Sequence, residues 1–141
     1  LIPDNAYSPN KELAHWLQSQ FDIAVSVYPP MCGAGIENYI RPETRLIWVE
    51  APGSVSMEIP DLPAIAGVAH RHQIVVALDN TWSAGIVYPG FEHGADIIMQ
   101  ALTKFQSGGS DVLMGAVITR DRELHRKIEL ATAVIQLASA R

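Results

Sequence analysis

An α/β domain built on a mostly parallel sheet is the fold class these 141 residues predict, and three observations carry that reading. Short runs rich in β-branched residues alternate with longer stretches whose apolar residues fall three and four apart, as strands and amphipathic helices do in turn. The runs Arg45-Leu46-Ile47-Trp48-Val49 and Ile74 to Leu78 are nearly all apolar, as expected of strands covered by helices on both faces. Polar and titratable residues follow those runs at once, where the loops of a parallel sheet converge.

The elements are justified in order. Leu13, Trp16, Leu17 and Phe21 share one face of a helix from about Asn10 to Gln20. Asp22 to Tyr28 alternates enough for a strand, which Pro29-Pro30 ends, and Ile36 to Ile40 suits a short helix. After the strand at residues 45–49, Asp61 is a suitable N-cap for a helix whose face is Leu62, Ile65, Ala66 and Ala69, closing near His72. Ile74 to Leu78 is a second buried strand, Ala95 to Leu102 a third and Val112 to Ile118 a fourth. From Asp121 onward, Leu124, Ile128, Ala131 and Ile135 form the stripe of a closing helix. No Gly or Pro stops that helix before Arg141, and the chain opens on Leu1 rather than Met. Further sequence is expected at both ends.

Composition narrows the function classes. Hydrophobic residues make up 48% and charged residues 18%, enough apolar surface for one soluble globular domain with its own core. Ten Lys plus Arg against fifteen Asp plus Glu give a formal charge of −5, the wrong sign for neutralising nucleic-acid phosphates. With Cys32 as the sole cysteine, neither an internal disulfide nor a cysteine zinc cluster can form, which favours a reducing compartment. No run reaches the roughly 20 apolar residues of a membrane span, and the start lacks the pattern of a signal peptide. A cytoplasmic protein with no membrane or nucleic-acid partner is the expectation.

Four groups stand just after apolar runs: Glu50; Asp79-Asn80-Thr81; Thr103-Lys104; and Ser107-Gly108-Gly109-Ser110-Asp111. Lys104 is one of three lysines, and the other two, Lys11 and Lys127, fall on helices. A lysine at a strand end can be desolvated, which frees its neutral amine to attack an aldehyde. An exposed loop lysine is the plainer alternative. Asp79, for its part, would equally serve to cap the turn at Thr81 or Trp82. Taken together, an amine and a carboxylate on separate strand tips match the needs of pyridoxal phosphate (PLP), whose aldehyde takes a lysine and whose ring nitrogen takes a carboxylate.

The segments Val76-Ala77-Leu78-Asp79-Asn80-Thr81-Trp82 and Gln100-Ala101-Leu102-Thr103-Lys104-Phe105, followed by Gly109-Ser110-Asp111, resemble the Asp-Asn-Thr and Thr-Lys motifs of the Cys/Met-metabolism PLP enzymes. Glu50-Ala51-Pro52-Gly53-Ser54 matches a further motif of that family, and the likeness runs from Pro3-Asp4-Asn5-Ala6-Tyr7 to about Leu130. The resemblance implies that residues 1–141 are part of the large PLP-binding domain of a fold-type-I, aspartate aminotransferase-like enzyme. An N-terminal segment and a C-terminal small domain are then absent. It further implies that Lys104 holds the cofactor as a Schiff base and shuttles protons at the substrate α-carbon. Asp79 would pair with the pyridinium nitrogen, and Thr103 would donate its hydroxyl to the phosphate.

Within the family, Pro52-Gly53-Ser54 and Asn80-Thr81-Trp82-Ser83-Ala84-Gly85 are similar to cystathionine β-lyases, which cleave L-cystathionine to homocysteine, pyruvate and ammonia. The γ-acting members, lyases and synthases, usually show Asn-Pro in the first motif and Phe in place of Trp82. Three departures stand out. Ala101 occupies the place of a serine found in many relatives, Ser54 stands where several γ-acting relatives carry asparagine, and Gly109 replaces the usual histidine. The family implies a small sulfur amino acid as substrate and a homo-oligomer, a dimer of dimers, in which a neighbouring subunit completes the active site. The isolated chain is therefore expected to be inactive or nearly so. A truncated, non-catalytic protein keeping only the fold and a subunit contact is the alternative outside the enzyme class.

The remaining signals point to structure. His70 and His72 lie two apart near a helix end and face different ways, which suits favourable interaction with the helix dipole rather than a metal. His15, His93 and His125 lack an acidic or cysteine cluster at ligand spacing, so no metal site is expected. Cys32 reads as a small packed hydrophobe, and Met99 and Met114 as core residues of strands. Gly108-Gly109 is too short for a phosphate loop.

Overall fold

The computed structural model describes residues 1–109 and 111–139. Its first elements are β1 (Ile2–Pro3), α1 (Ser8–Phe21), β2 (Val27–Tyr28) and a 3₁₀ helix (Gly33–Tyr39). The expected strand at residues 22–28 shrinks to its last two residues, because Asp22 takes a left-handed conformation at the end of α1 (φ 54°) and residues 22–26 fall outside regular structure. The pair β1–β2 is parallel, a short annex to the main sheet.

That main sheet is β3 (Leu46–Glu50), β4 (Val75–Asp79), β5 (Ile97–Ala101) and β6 (Gly115–Thr119), adjacent in that order. The first three strands run parallel, with Glu50 opposite Asp79 and Asp79 opposite Met99. The fourth strand expected over residues 112–118 forms as β6, antiparallel to β5, so the sheet is mostly parallel. The link of residues 102–114 doubles back on itself, with turns over 102–107 and Thr103 hydrogen-bonded to Met114, so the chain returns beside β5 in the opposite direction.

Side chains alternate across these strands, so Ile47, Val49, Val76, Leu78 and Ile98 share one face. Against it packs α2 (Leu62–Arg71) through Leu62, Ile65, Ala66, Val68 and Ala69, all buried, with Tyr28 and Ile36 closing the cluster. The Asp61 carboxylate accepts from the Ala64 N–H at 3.0 Å, the expected N-cap, and His72 ends the helix. The opposite face was expected to be covered as well. There Leu46 is 43% and Val117 53% exposed while Glu50 and Ala77 are buried, so cover of this face within these residues is partial.

Two helices are less buried than their stripes suggest. On α1, Leu13, Trp16 and Phe21 are each more than half exposed, and no residue of this helix is buried. On α3 (Arg122–Ser139), Leu124 and Ile128 are half-buried while Ala131 is exposed; the side chain of Ile135 lies outside the described residues. Among the described residues no helix is long and apolar enough to cross a membrane.

What anchors α1 is polar. The buried Glu50 carboxylate accepts the Tyr7 N–H at 2.9 and 3.0 Å, Asn10 Nδ2 at 3.1 Å and Trp48 Nε1 at 3.2 Å. It thereby places an anion at the N-terminal end of a helix whose N-cap, Tyr7, makes no side-chain cap, where the helix dipole favours negative charge.

These contacts set an order of stabilities. Asp61→Ala removes one exposed cap bond and should cost about 1 kcal/mol in urea unfolding. Glu50→Leu strands several donors at once and should cost roughly 2 to 4 kcal/mol; a loss no larger than that of Asp61→Ala would show that Glu50 does not anchor α1.

Candidate functional site

At the carboxyl ends of the three parallel strands the structure assembles the polar groups that follow the apolar runs. Glu50 and Asp79 end β3 and β4 side by side, and Lys104 lies three residues beyond β5. Asp79 and its register partner Met99 belong to the half-covered face, opposite the α2 core. A carboxyl group and an amine therefore stand at one edge of one sheet.

The turn after β4 is built by its own side chains. Asp79 Oδ1 accepts from the Thr81 N–H at 3.0 Å, which is the turn cap that residue type predicts. Asn80 is 1% exposed; its N–H donates to Met99 O at 2.9 Å and its Nδ2 to Tyr88 O at 3.1 Å, while its Oδ1 accepts from the Ser83 hydroxyl. The Thr81 hydroxyl accepts from the Ala101 N–H at 2.9 Å and so ties this turn to β5.

Burial pushes the Asp79 carboxyl above its ordinary value of 3.8. Hydrogen bonds from Thr81 pull it back, the Glu50 charge adds to the rise, and the Lys104 charge opposes it, in that order of size. Asp79 and Lys104 are thus within electrostatic reach, yet among the described residues neither joins an ion pair of 4 Å or less. Lys104 itself is exposed, so the desolvation anticipated for its amine is not supplied by these residues.

Thr103 holds the other side of the Lys104 loop. Its hydroxyl donates to Met114 O at 3.2 Å and accepts from the Met114 N–H at 3.0 Å, and its own N–H donates to Met114 O at 3.1 Å. Met114, expected in a strand core, instead precedes β6, is 57% exposed and serves through its backbone. Gly109 follows Gly108, which has φ 65°, in an exposed turn; Ser110 lies outside the described residues.

Residues that sequence reasoning left without a role complete the site. Gln100, 7% exposed at the end of β5, accepts from Gln106 Nε2 at 2.7 Å. Glu50 was noted only for its position, although an acid closing an apolar strand is itself a signal, and an amide inside Ile97 to Leu102 is another.

The loop after β3 contains a cis Ala51–Pro52 bond and then Gly53, whose missing Cβ leaves room for the Asn5 side chain. Asn5 Nδ2 in turn donates to Ser56 Oγ at 2.8 Å and Glu58 Oε2 at 2.9 Å, tying the start of the chain to this loop. Ser54 is half-buried beside it.

The histidines and the cysteine behave as packing and surface groups. His70 Nε2 lies 3.1 Å from Asp96 Oδ2 and His72 Nε2 3.3 Å from Glu37 Oε1, so each has a carboxylate neighbour of its own. His93 packs edge-on against Tyr88 with centroids 4.7 Å apart. Cys32 packs against the core, and burial pushes its thiol up.

Comparison with known proteins places the chain in a family. The family profile described as Cys/Met metabolism PLP-dependent enzyme matches residues 1–139. The cystathionine beta-lyase of Haemophilus influenzae is 37% identical over 124 residues, which are 86% of this chain and 31% of that protein. The Escherichia coli cystathionine beta-lyase is 30% identical over 142 aligned residues, 99% of this chain and 36% of that protein. Among solved structures, cystathionine gamma-lyase from Lactobacillus plantarum complexed with L-serine superposes with a TM-score of 0.89 at 28% identity, covering 95% of this chain and 35% of the other. The chain thus spans about a third of the length of the relatives it matches. The family profile covers nearly the whole chain, and the chain belongs to the Cys/Met metabolism PLP-dependent enzyme family.

Proposed function

We propose that the protein containing these residues is a PLP-dependent carbon–sulfur lyase that cleaves L-cystathionine by β-elimination to homocysteine, pyruvate and ammonia. The observation that carries the reading is the placement of Asp79 and Lys104 at one sheet edge, each within the other's electrostatic reach. Support for the subclass comes from Pro52-Gly53-Ser54 and Trp82, and from the β-lyase relatives.

The residues present suit the cofactor. Asp79 has lost hydration to burial, and Lys104 offsets this only weakly, so a cationic N–H brought against its carboxylate would restore what burial removed. Lys104 Nζ is accessible for covalent attachment. When bound, the ring supplies an electron sink for charge developing at the substrate α-carbon. Asp79 would keep the proton on the ring nitrogen, and Lys104 Nζ would take the proton from the substrate α-carbon. Thr103 is proposed as a phosphate donor, for which its hydroxyl must exchange Met114 O for the new acceptor. With a proton delivered to the departing sulfur and one water taken up by the three-carbon remainder, the products would balance as homocysteine, pyruvate and ammonia.

A γ-lyase or γ-synthase of the same family is the second reading, supported by the fold match to a cystathionine γ-lyase. In the full-length parent, pyruvate as the keto-acid product supports the β-lyase, and 2-oxobutyrate or a cystathionine product overturns it.

Borohydride reduction of the PLP-treated chain should place the label on Lys104 by peptide mapping; a label on Lys11 or Lys127, or none, removes the lysine assignment. Asp79→Asn keeps the acceptor for Thr81 but no charge, so cofactor retention should fall by about tenfold or more, as expected for losing a charge-assisted bond. Because burial raises the Asp79 carboxyl, the folded chain holds this proton to higher pH than the unfolded chain. Its contribution to stability is complete below the unfolded value of 3.8 and is lost as pH rises through the folded value. Cofactor-free Asp79→Asn should therefore melt higher than wild type at neutral pH, with the gap closing in acid. A lower melting temperature at neutral pH would contradict the buried-carboxylate account.

A further inference from the structure

We propose that Gln100 and Gln106 form an amide clamp that sets the spacing between the Asp79 turn and the Lys104 loop. The inference rests on the reading of Lys104 as the cofactor lysine, and it assigns Gln106 as a positioning residue.

The Lys104 loop is pinned on both sides of the lysine. One residue before it, Thr103 is bound to Met114 through its hydroxyl and its N–H, which ties the loop to the start of β6. Two residues after it, Gln106 Nε2 donates to Gln100 Oε1 at 2.7 Å and to Ala84 O at 3.3 Å. Ala84 belongs to the turn that begins at Asp79. The first pin relates Lys104 to β6, and the second relates it to the carboxylate turn.

The second pin has features that plain loop packing does not need. Gln106 is exposed, so water could satisfy its amide, yet the side chain turns inward to two acceptors. Gln100 is nearly fully buried on the core face with Ile98, where an amide costs free energy unless it is bonded. Gly85, at φ 71°, has no Cβ, and a Cβ built there would overlap Gln100 Nε2. Three side-chain choices, two amides and one glycine, therefore meet at one point between the loops. Trp82 and Phe105 add an edge-on contact between the same loops, their centroids 6.4 Å apart. The clamp lies behind the site, on the α2 side of the sheet, so it touches neither reacting group and acts only through the position of Lys104.

A clamp of this kind should matter to a ligand that must meet both loops and much less to one that needs only one. PLP requires the Lys104 loop, through the amine of Lys104 and the hydroxyl of Thr103, as well as the carboxylate of Asp79, whereas pyridoxine has an alcohol where PLP has its aldehyde and no phosphate, and so has neither group for that loop. The test compares the dissociation constants of both compounds for wild type, Gln106→Leu, Gln100→Leu and Gln100→Glu, with circular dichroism to verify folding. The leucine variants should lose about tenfold in PLP affinity, the size expected for one lost hydrogen bond, with pyridoxine changed by no more than about twofold. Gln100→Glu, which still offers Gln106 an acceptor, should restore PLP binding. Equal losses for both compounds, or no loss for either, would overturn the clamp. If Gln100→Leu does not fold, the exposed Gln106→Leu decides alone. Wild type that fails to prefer PLP and yields no borohydride label on Lys104 would instead sink the lysine reading, and the clamp with it.

Discussion

Parallel pairing in fixed register is the constraint on which the site depends. Hydrogen bonds along β3, β4 and β5 place Glu50 opposite Asp79 and Asp79 opposite Met99, so the strand tips arrive together. A slip of one residue would turn Asp79 toward the α2 core and expose Leu78 in its place. The buried row Ile47, Val49, Val76, Leu78 and Ile98 penalises such a slip. Precision at the polar edge is therefore maintained by apolar contacts on the far face, several residues away from any chemistry.

The same edge carries charge that the fold would otherwise avoid. Asp79 is pushed up by burial and by Glu50 next to it, while Lys104 only partly opposes the shift. Glu50 is differently placed, since backbone, amide and indole donors all converge on it, and its task is to hold the start of α1. Two neighbouring carboxylates thus divide the work: one is satisfied by the protein, the other keeps an unmet preference for a cationic partner. Sites that bind ligands through charge commonly retain such local instability, because a group fully satisfied by its own chain gains nothing from the ligand.

Much of this was legible in the order of residues. Apolar runs located the strands because a buried strand has to be apolar wherever it meets the core, and Asp61 marked a helix start because its carboxylate can reach Ala64 N–H. Asp79 and Lys104 stood out because polar groups at strand ends have few structural duties. The direction of β6 was hidden, since a strand has the same composition whichever way it runs. The exposure of Leu13, Trp16 and Phe21 was hidden for another reason. A helical stripe reveals which face seeks cover, but not which surface provides it. Met114 misled because a methionine in an apolar stretch resembles core, whereas here its backbone is the working part.

Gln106 was the least visible of the site residues, and the reason bears on how positioning groups are recognised. An exposed glutamine in a polar loop is ordinary in composition, and neither hydrophobic period nor charge distinguishes it. Its significance arises only from pairing with Gln100, a buried amide that does stand out in Ile97 to Leu102, and from Gly85, which makes room for that amide. Lys104 has the long flexible stem of any lysine, so the precision of its amine must come from the backbone that bears it. Thr103 on one side and Gln106 on the other are what hold that backbone against two different neighbours. An amine on a loop tied to only one of them would keep its place relative to β6 yet drift relative to the carboxylate, and the second tie removes that freedom.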